Sequence, residues 1–334
     1  MPEGLTALLV VVLILAVTFD YINGFHDTAN AIATSVSTRA LKPEQAILLS
    51  ATANFVGALS GTAVAKTIAS GLAVTPDGPQ GQIIVAAALV GAIVWNLVTW
   101  RLGIPSSSSH ALIGGLLGAV LVASGIAAIK MDGVRDKVLL PLVLSPVLGV
   151  VIGFSLMVVL LNVLRNAHPR KLNERFRRLQ VLSATYMAFS HGSNDAQKTM
   201  GIITLALFTA GVLPTPDVPL WVIVLAATAI SFGTAAGGWR IIKTMGQRVV
   251  KLDPIHGFAA ETTAATIIFG ASHFGMPVST THVISSAIIG VGSSDRFSAV
   301  RWGVAGNIVI AWILTLPAAG FVAALAYVLL DRLM

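Results

Sequence analysis

Cysteine is absent from the 334-residue chain. That excludes disulfides, thiol catalysis and thiolate metal sites, and leaves the redox compartment open. Charge is scarce as well: 10% of the residues are Asp, Glu, Lys or Arg, against about 25% in a soluble globular protein. A chain so poor in polar side chains cannot cover its own surface, so a cytoplasmic enzyme, a nucleic-acid binder and a disordered scaffold are excluded together. What is present instead is apolar: 55% hydrophobic residues and a mean hydropathy of +0.86. The solvent is largely lipid. Acid is the scarcer sign, with 14 Asp and Glu against 21 Lys and Arg, for a net charge of +7.

A helix crosses a hydrocarbon core of about 30 Å in about 20 residues. Apolar runs of that order fall at 4–38, 46–70, 82–100, 104–128 and 138–164, and again at 179–211, 220–239, 254–271, 278–294 and 302–330. They predict an all-α polytopic membrane protein with about ten or more transmembrane segments. Several runs exceed one straight crossing, so broken or re-entrant helices are expected. The start, Met1-Pro2-Glu3, lacks a basic flank and does not read as a cleavable signal. Lys and Arg near short loops stay cytoplasmic. The richest stretch holds Arg165, Arg170, Lys171, Arg175, Arg177 and Arg178 against one acid, Glu174. Placing it inside puts Arg39, Lys42, Arg101, Arg240, Lys243, Arg248, Lys251, Arg296 and Arg301 inside too, and both termini outside. The excess of positive charge therefore reports orientation. Within the apolar runs the balance reverses, because Asp20, Asp27, Asp195 and Glu261 outnumber Lys66 and Lys198.

The two sets of runs repeat each other. Asn23-Gly24-Phe25-His26-Asp27-Thr28-Ala29-Asn30 recurs as His191-Gly192-Ser193-Asn194-Asp195-Ala196-Gln197-Lys198. Ile104-Pro105-Ser106-Ser107-Ser108-Ser109-His110 recurs as Met276-Pro277-Val278-Ser279-Thr280-Thr281-His282. Five crossings is an odd number, so the second half starts on the opposite face, the inverted repeat of secondary transporters with a site at the midplane. The divisions expected are a first repeat over 1–165, a basic cytoplasmic linker over 166–178 and a second repeat over 179–334.

Proline followed by a run of hydroxyls suits a helix start, with Pro105 and Pro277 in the first turn, where no N–H is needed. Unpaired N–H groups and hydroxyls at two such ends would surround a small tetrahedral anion. The alternative is that Ser and Thr there pack or cap helices. Asp27 and Asp195 lie in apolar stretches, where a carboxylate costs at least about 2.5 kcal/mol. They predict an alkali cation or a proton as partner, aided by carbonyls of a helix broken beside Gly24 and Gly192. The alternative is a structural salt bridge to Lys198. Asp20 and Glu261 have no repeat partner and read either as proton sites or as hydrogen-bonded structural acids. His110 and His282 follow the hydroxyl clusters and read as hydrogen-bonded supports of the turn or as a proton relay. Lys66 reads as a helix-end residue snorkelling to the interface. No resident metal site is expected, since no close His/His or His/acid ligand spacing is evident. Ser, His and Asp together also raise an intramembrane serine hydrolase. Four consecutive hydroxyls with no distinguishable nucleophile suit binding better than acyl chemistry.

At these motifs the sequence resembles the inorganic phosphate transporter (Pit) family of secondary transporters, in its bacterial low-affinity branch, over essentially the whole chain. The first motif reads Gly24-Phe25-His26-Asp27 where many members have Gly-x-Asn-Asp; the second keeps Gly192-Ser193-Asn194-Asp195. The resemblance implies a cell-membrane symporter of inorganic phosphate with a proton or sodium, in some bacterial relatives as a metal-phosphate complex, and sulfate in some other members. It implies a homodimer, and no cofactor beyond the coupling cation. Carried over by position, Ser106, Ser107, Ser108, Ser109, Ser279, Thr280 and Thr281 would hold phosphate. Asp27, Asp195, Asn23, Asn30, Asn194 and Gln197 would hold the cation. From their own chemistry, His110, His282, Glu261 and Lys198 read as proton or supporting groups.

Overall fold

The computed structural model describes residues 6–333; Met1-Pro2-Glu3 lies outside them. Besides two single 3-10 turns at Ile126–Ala128 and Phe297–Ala299, twelve helices follow one another: α1 Ala7–Ser37, α2 Pro43–Ala58, α3 Ala63–Gly71, α4 Pro79–Leu102, α5 Ser108–Ser124 and α6 Met131–Val163, then α7 Pro169–Thr209, α8 Leu220–Ala236, α9 Trp239–Arg248, α10 Pro254–His273, α11 Thr280–Asp295 and α12 Trp302–Leu333. Among the described residues the sole β pairing is an isolated bridge between Ala73 and Ile129. Each apolar run carries one helix or one bent pair. α2/α3 bends by 65° and α8/α9 by 61°.

By length and composition, α1, α4, α6 and α12 qualify as membrane spans, and six spans result if each bent pair counts as one. This tally among the described residues is below the ten expected. The polar motifs are the reason. α7 carries the basic cluster and the second Asp motif, α10 carries Glu261 and two histidines, and α5 and α11 are only 17 and 16 residues long.

Helix boundaries follow local chemistry. Thr6 caps α1 by accepting from Leu9 N at 3.1 Å. Pro43, Pro79, Pro169 and Pro254 open α2, α4, α7 and α10. Gly103, at φ 67°, ends α4 in the left-handed region. The stretch expected as a linker is mostly helical, since α7 starts at Pro169 and presents Arg170, Lys171, Arg175, Arg177 and Arg178 as exposed side chains on its first turns. Lys66 reaches solvent and pairs with exposed Asp217 at 3.1 Å. That ammonium, with the Thr215 hydroxyl, holds the Asp217 carboxyl below its usual range.

Packing pairs recur with the halves exchanged. α1 packs on α8 and α7 on α2; α1 on α4 and α7 on α10; α5 on α12 and α11 on α6. Two apolar cores result. One gathers the Leu9–Phe19 part of α1, the Ala196–Leu207 part of α7, and much of α4, α5 and α8. The other gathers the Ala29–Ala33 part of α1, Met187 and Ala188 of α7, and much of α9, α10 and α11. The polar motifs of α1 and α7 form the layer between them.

Both helices run unbroken through those motifs, so the break expected beside Gly24 and Gly192 is not there. The chain interrupts instead at 59–62, at Gly237–Gly238 and before α5 and α11. The two glycines serve close approach. A Cβ at Gly24 would meet Ile230 O and Gly233 of α8, and one at Gly192 would meet the Asn54 backbone of α2. Gly192→Val should therefore destabilise by about 1–3 kcal/mol through overpacking. Gly270→Ala, where no atom lies within 4 Å of the added carbon, should not. Thermal unfolding in detergent, followed by tryptophan fluorescence, separates the two.

Candidate functional site

Two extended segments lead into the polar layer. Residues 103–107 leave Gly103, whose carbonyl accepts from Thr244 Oγ1 at 2.9 Å, while Arg240 Nη1 donates to Arg101 O at 2.6 Å. Residues 274–279 are held by Thr67 Oγ1 donating to Gly275 O at 2.7 Å and Lys137 Nζ donating to Phe274 O at 3.0 Å. The prolines lie in these segments, two residues before the caps, rather than in the first turn as expected. Fixed φ and the restriction on the preceding residue suit extended chain equally well. Ser107 Oγ then accepts from His110 N at 3.1 Å and Ser279 Oγ from His282 N at 3.2 Å, so both expected anion ligands act as N-caps.

Beyond the caps the two helix starts meet. Ser109 Oγ donates to Val278 O at 3.2 Å. Asn30 Nδ2 donates to Thr280 Oγ1 at 3.2 Å and to Thr281 Oγ1 at 2.9 Å. Thr280 Oγ1 donates to Asp195 Oδ2 at 3.4 Å. At the centre Lys198 Nζ donates to Asp195 Oδ1 at 2.6 Å, to Val278 O at 3.1 Å and to Ser109 Oγ. Lys198 is 1% exposed, so a fully buried ammonium sits where two hydroxyl-bearing helix N-termini converge. The His110 and His282 rings lie beside these turns with centroids 4.8 Å apart, and His282 stacks on Trp312 at 4.1 Å.

The first motif builds a second cluster. His26 Nδ1 lies 2.6 Å from Asp27 Oδ1, and its Nε2 lies 3.1 Å from Thr99 Oγ1. Ser106 Oγ donates to Thr99 Oγ1 at 2.8 Å, and Ser108 Oγ is 3.5 Å from His26 Nδ1. Asp27 and Ser108 thus share one ring nitrogen, which is not the geometry of a nucleophile–base–acid relay. Across from it, His191 Nε2 is 3.5 Å from Asp195 Oδ2 and His191 Nδ1 is 3.1 Å from Asn54 Oδ1. One ligand atom each from Asp27, His191 and Asp195 lies within 4.8 Å of the others. The sequence reading finds no His/acid ligand spacing; His191 and Asp195, four apart on one face of α7, supply it.

Other expected residues stand apart. Gln197 Oε1 accepts from Val64 N at 2.8 Å while its Nε2 donates to Ser193 O at 2.6 Å, fastening α3 to α7. Asn194 Nδ2 donates to Ser272 Oγ at 2.8 Å and Met276 O at 3.2 Å. Glu261 is tied down by Thr34 at 2.5 Å, Gln180 at 3.0 Å and Ser183. Asn23 has no hydrogen-bond partner for either amide atom. The sequence pattern assigns no role to His26, His191, Thr99 and Asn54. The first two stand in the repeated motif itself, which was the available signal.

A paired hydroxyl site with a buried Asp–Lys pair and a carboxylate–histidine cluster is the geometry of ion handling. The profile of the Phosphate transporter family (PHO4) matches residues 23–323. The chain belongs to that family. A Bacillus subtilis relative described as "Probable low-affinity inorganic phosphate transporter" is 48% identical over 98% of this chain and 99% of its own length. One from Rhizobium meliloti with the same description is 48% identical over 97% of each chain. A solved structure described as "The sodium-dependent phosphate transporter" superposes with a TM-score of 0.87 at 26% identity, covering 98% of this chain and 100% of that one. Members of the phosphate transporter family are transporters rather than enzymes, and this one is a multi-pass protein of the cell membrane.

The Asp195–Lys198 pair generates a stability prediction. Removing one partner leaves a buried charge without its counterpart, a loss of about 3–5 kcal/mol. Lys198→Met should lower the unfolding midpoint sharply, and the double change with Asp195→Asn should recover part of the loss. A double-mutant cycle on detergent-solubilised protein measures the coupling.

Proposed function

We propose that the chain is a cation-coupled symporter of inorganic phosphate that works by alternating access. The observation that carries this is the convergence of the α5 and α11 N-termini on Lys198, with the Asp27–His191–Asp195 cluster beside them. Phosphate binds through Ser109, Thr280, Thr281 and Lys198, with the N–H groups of both first turns. Ser106 and Ser108 contribute from the His26 side, and Ser107 and Ser279 hold the helix ends in shape. The coupling cation binds at Asp27, His191 and Asp195, with Asn30 orienting the hydroxyls. A doubly charged anion in a water-poor layer is costly on its own. A cation on Asp27 and Asp195 lowers that cost, so neither ion crosses well without the other.

The exchanged packing pairs support two inverted-topology repeats of five crossings each, over 1–165 and 179–334, with the basic residues near 165–178 cytoplasmic. The extended segments then enter from opposite faces, and the layer between the two cores is the plane in which access alternates. A homodimer agrees with the broad apolar faces of α6 and α12, which are mostly outside the core. Protons are the favoured coupling ion, because the first motif carries His26 where many members have an Asn oxygen, and its Nδ1 lies 2.6 Å from Asp27 Oδ1. The cargo is phosphate, alone or as a metal-phosphate complex; sulfate is the competing oxyanion. The Asp27 carboxylate offers a proton acceptor that phosphate can use and sulfate cannot.

Purified protein in liposomes tests this under separately imposed pH and sodium gradients. Uptake of labelled phosphate should follow the pH gradient; uptake that follows sodium alone would reassign the coupling ion. Asp27→Asn and Asp195→Asn should each lower gradient-driven uptake about 10–100-fold, and intact coupled uptake in both would overturn the assignment. Ser109→Ala should weaken phosphate binding by roughly 10–100-fold, the equivalent of one hydrogen bond to a charged group.

A further inference from the structure

Asp20 is a buried acid of α1 that neither the proposed phosphate site nor the Asp27 cluster uses. It is 0% exposed, and neither carboxylate oxygen has a hydrogen-bond partner. Glu261, equally buried, shows the contrast: three side chains donate to its oxygens. Native proteins do not leave a carboxylate in an apolar interior without a partner. The groups that face Asp20 are also short of partners. They are Asn23, one turn along α1, and Thr199 on α7, with Asp195 and Lys198 beyond them. Both amide atoms of Asn23 and the Thr199 hydroxyl are buried and unbonded. Among the described residues, the helices packed on this part of α1 offer the carboxylate no other charged side chain. α8 carries none, and the lone one on α4 is Arg101 at its far end.

Position along α1 gives the cluster its meaning. Asp20, Asn23, Asp27 and Asn30 are spaced three, four and three residues apart, which sets them on one face of the helix. Asp20 lies seven residues from Asp27, about 10 Å along the axis. It is therefore one step removed from the Asp27–His191–Asp195 cluster on the same polar stripe. Asp20 and Asp195 both face one ammonium, Lys198, while Asp27 is paired with His26, so an anion added to this layer brings further negative charge with no second ammonium beside it among the described residues.

We propose that Asp20, Asn23 and Thr199 form a second cation site, which takes one positive charge, a proton or an alkali ion, for each anion carried. The carboxylate supplies the charge and two oxygens. The Asn23 carbonyl and the Thr199 hydroxyl complete a set of hard oxygen ligands between α1 and α7. The site is filled before or together with the Asp27 cluster, and it raises the number of charges moved per phosphate.

The inference rests on the transport reading, and the two fail differently. Wild-type protein in liposomes that moves no phosphate under either gradient would remove the transport reading, whatever Asp20 does. With active wild type, current, labelled phosphate, labelled sodium and a trapped pH dye are followed together. Asp20→Asn should move one fewer positive charge per phosphate, and the missing charge should disappear from either the sodium or the proton signal, which identifies the ion. Thr199→Val keeps the carboxylate and should raise the half-saturating concentration of that same ion about tenfold or more. It carries the test if Asp20→Asn fails to fold. An unchanged ratio of charge to phosphate in Asp20→Asn overturns the second site, as does an unshifted ion dependence in Thr199→Val when that variant alone is folded.

Discussion

Taking charge out of water is the constraint on which the rest of the molecule depends. Lys198 and Asp195, both buried, are stable there because each satisfies the other at 2.6 Å and because Ser109 and Val278 O take the remaining ammonium protons. Those two acceptors belong to opposite halves of the chain. A single ion pair on α7 thereby fixes how close the α5 and α11 starts approach, and this sets the width of the space between their N–H groups. The glycines of both motifs, the capping serines and the Asn30 amide all act to keep that arrangement in register.

The arrangement also separates roles that composition alone would merge. Ser107 and Ser279 look identical to their neighbours in sequence, yet capping uses their side chains, and the next hydroxyls are left for contacts across the halves. Glu261 and Asp20 are both acids without a repeat partner. The first is a knot joining α1, α7 and α10 through Thr34, Gln180 and Ser183; the second makes no hydrogen bond among the described residues, with Asn23 and Thr199 standing beside it. What an intramembrane acid does is decided by its neighbours' spare hydrogen-bonding capacity.

Much of this was legible from the residues. Every apolar run carries a helix or a bent pair, because the hydrocarbon thickness dictates run length and no soluble surface competes with it. The two repeated motifs do converge, since symmetry of sequence reflects symmetry of packing. The misreadings have physical causes. Gly24 and Gly192 suggested broken helices, but a glycine in lipid serves close backbone approach as readily as it breaks a turn. Local pattern makes Lys198 a partner or support for Asp195, while its bonds to Ser109 and Val278 O span some 80–90 residues of chain and leave no trace there. His191 stood in plain view four residues before Asp195, and its meaning required Asp27 from the other half.

The extended segments ahead of α5 and α11 carry a consequence for biogenesis. In hydrocarbon an irregular backbone is tolerated only where protein covers it. Val278 O finds its donors in Ser109 and Lys198, and Ser109 in turn has Val278 O for its acceptor. While only the first half has been synthesised, α5 lacks the chain that completes it. Until α7 and α11 are made, the polar turn at the start of α5 lacks these protein partners. The polar turns ahead of α5 and α11 are therefore covered only when the two parts of the chain dock.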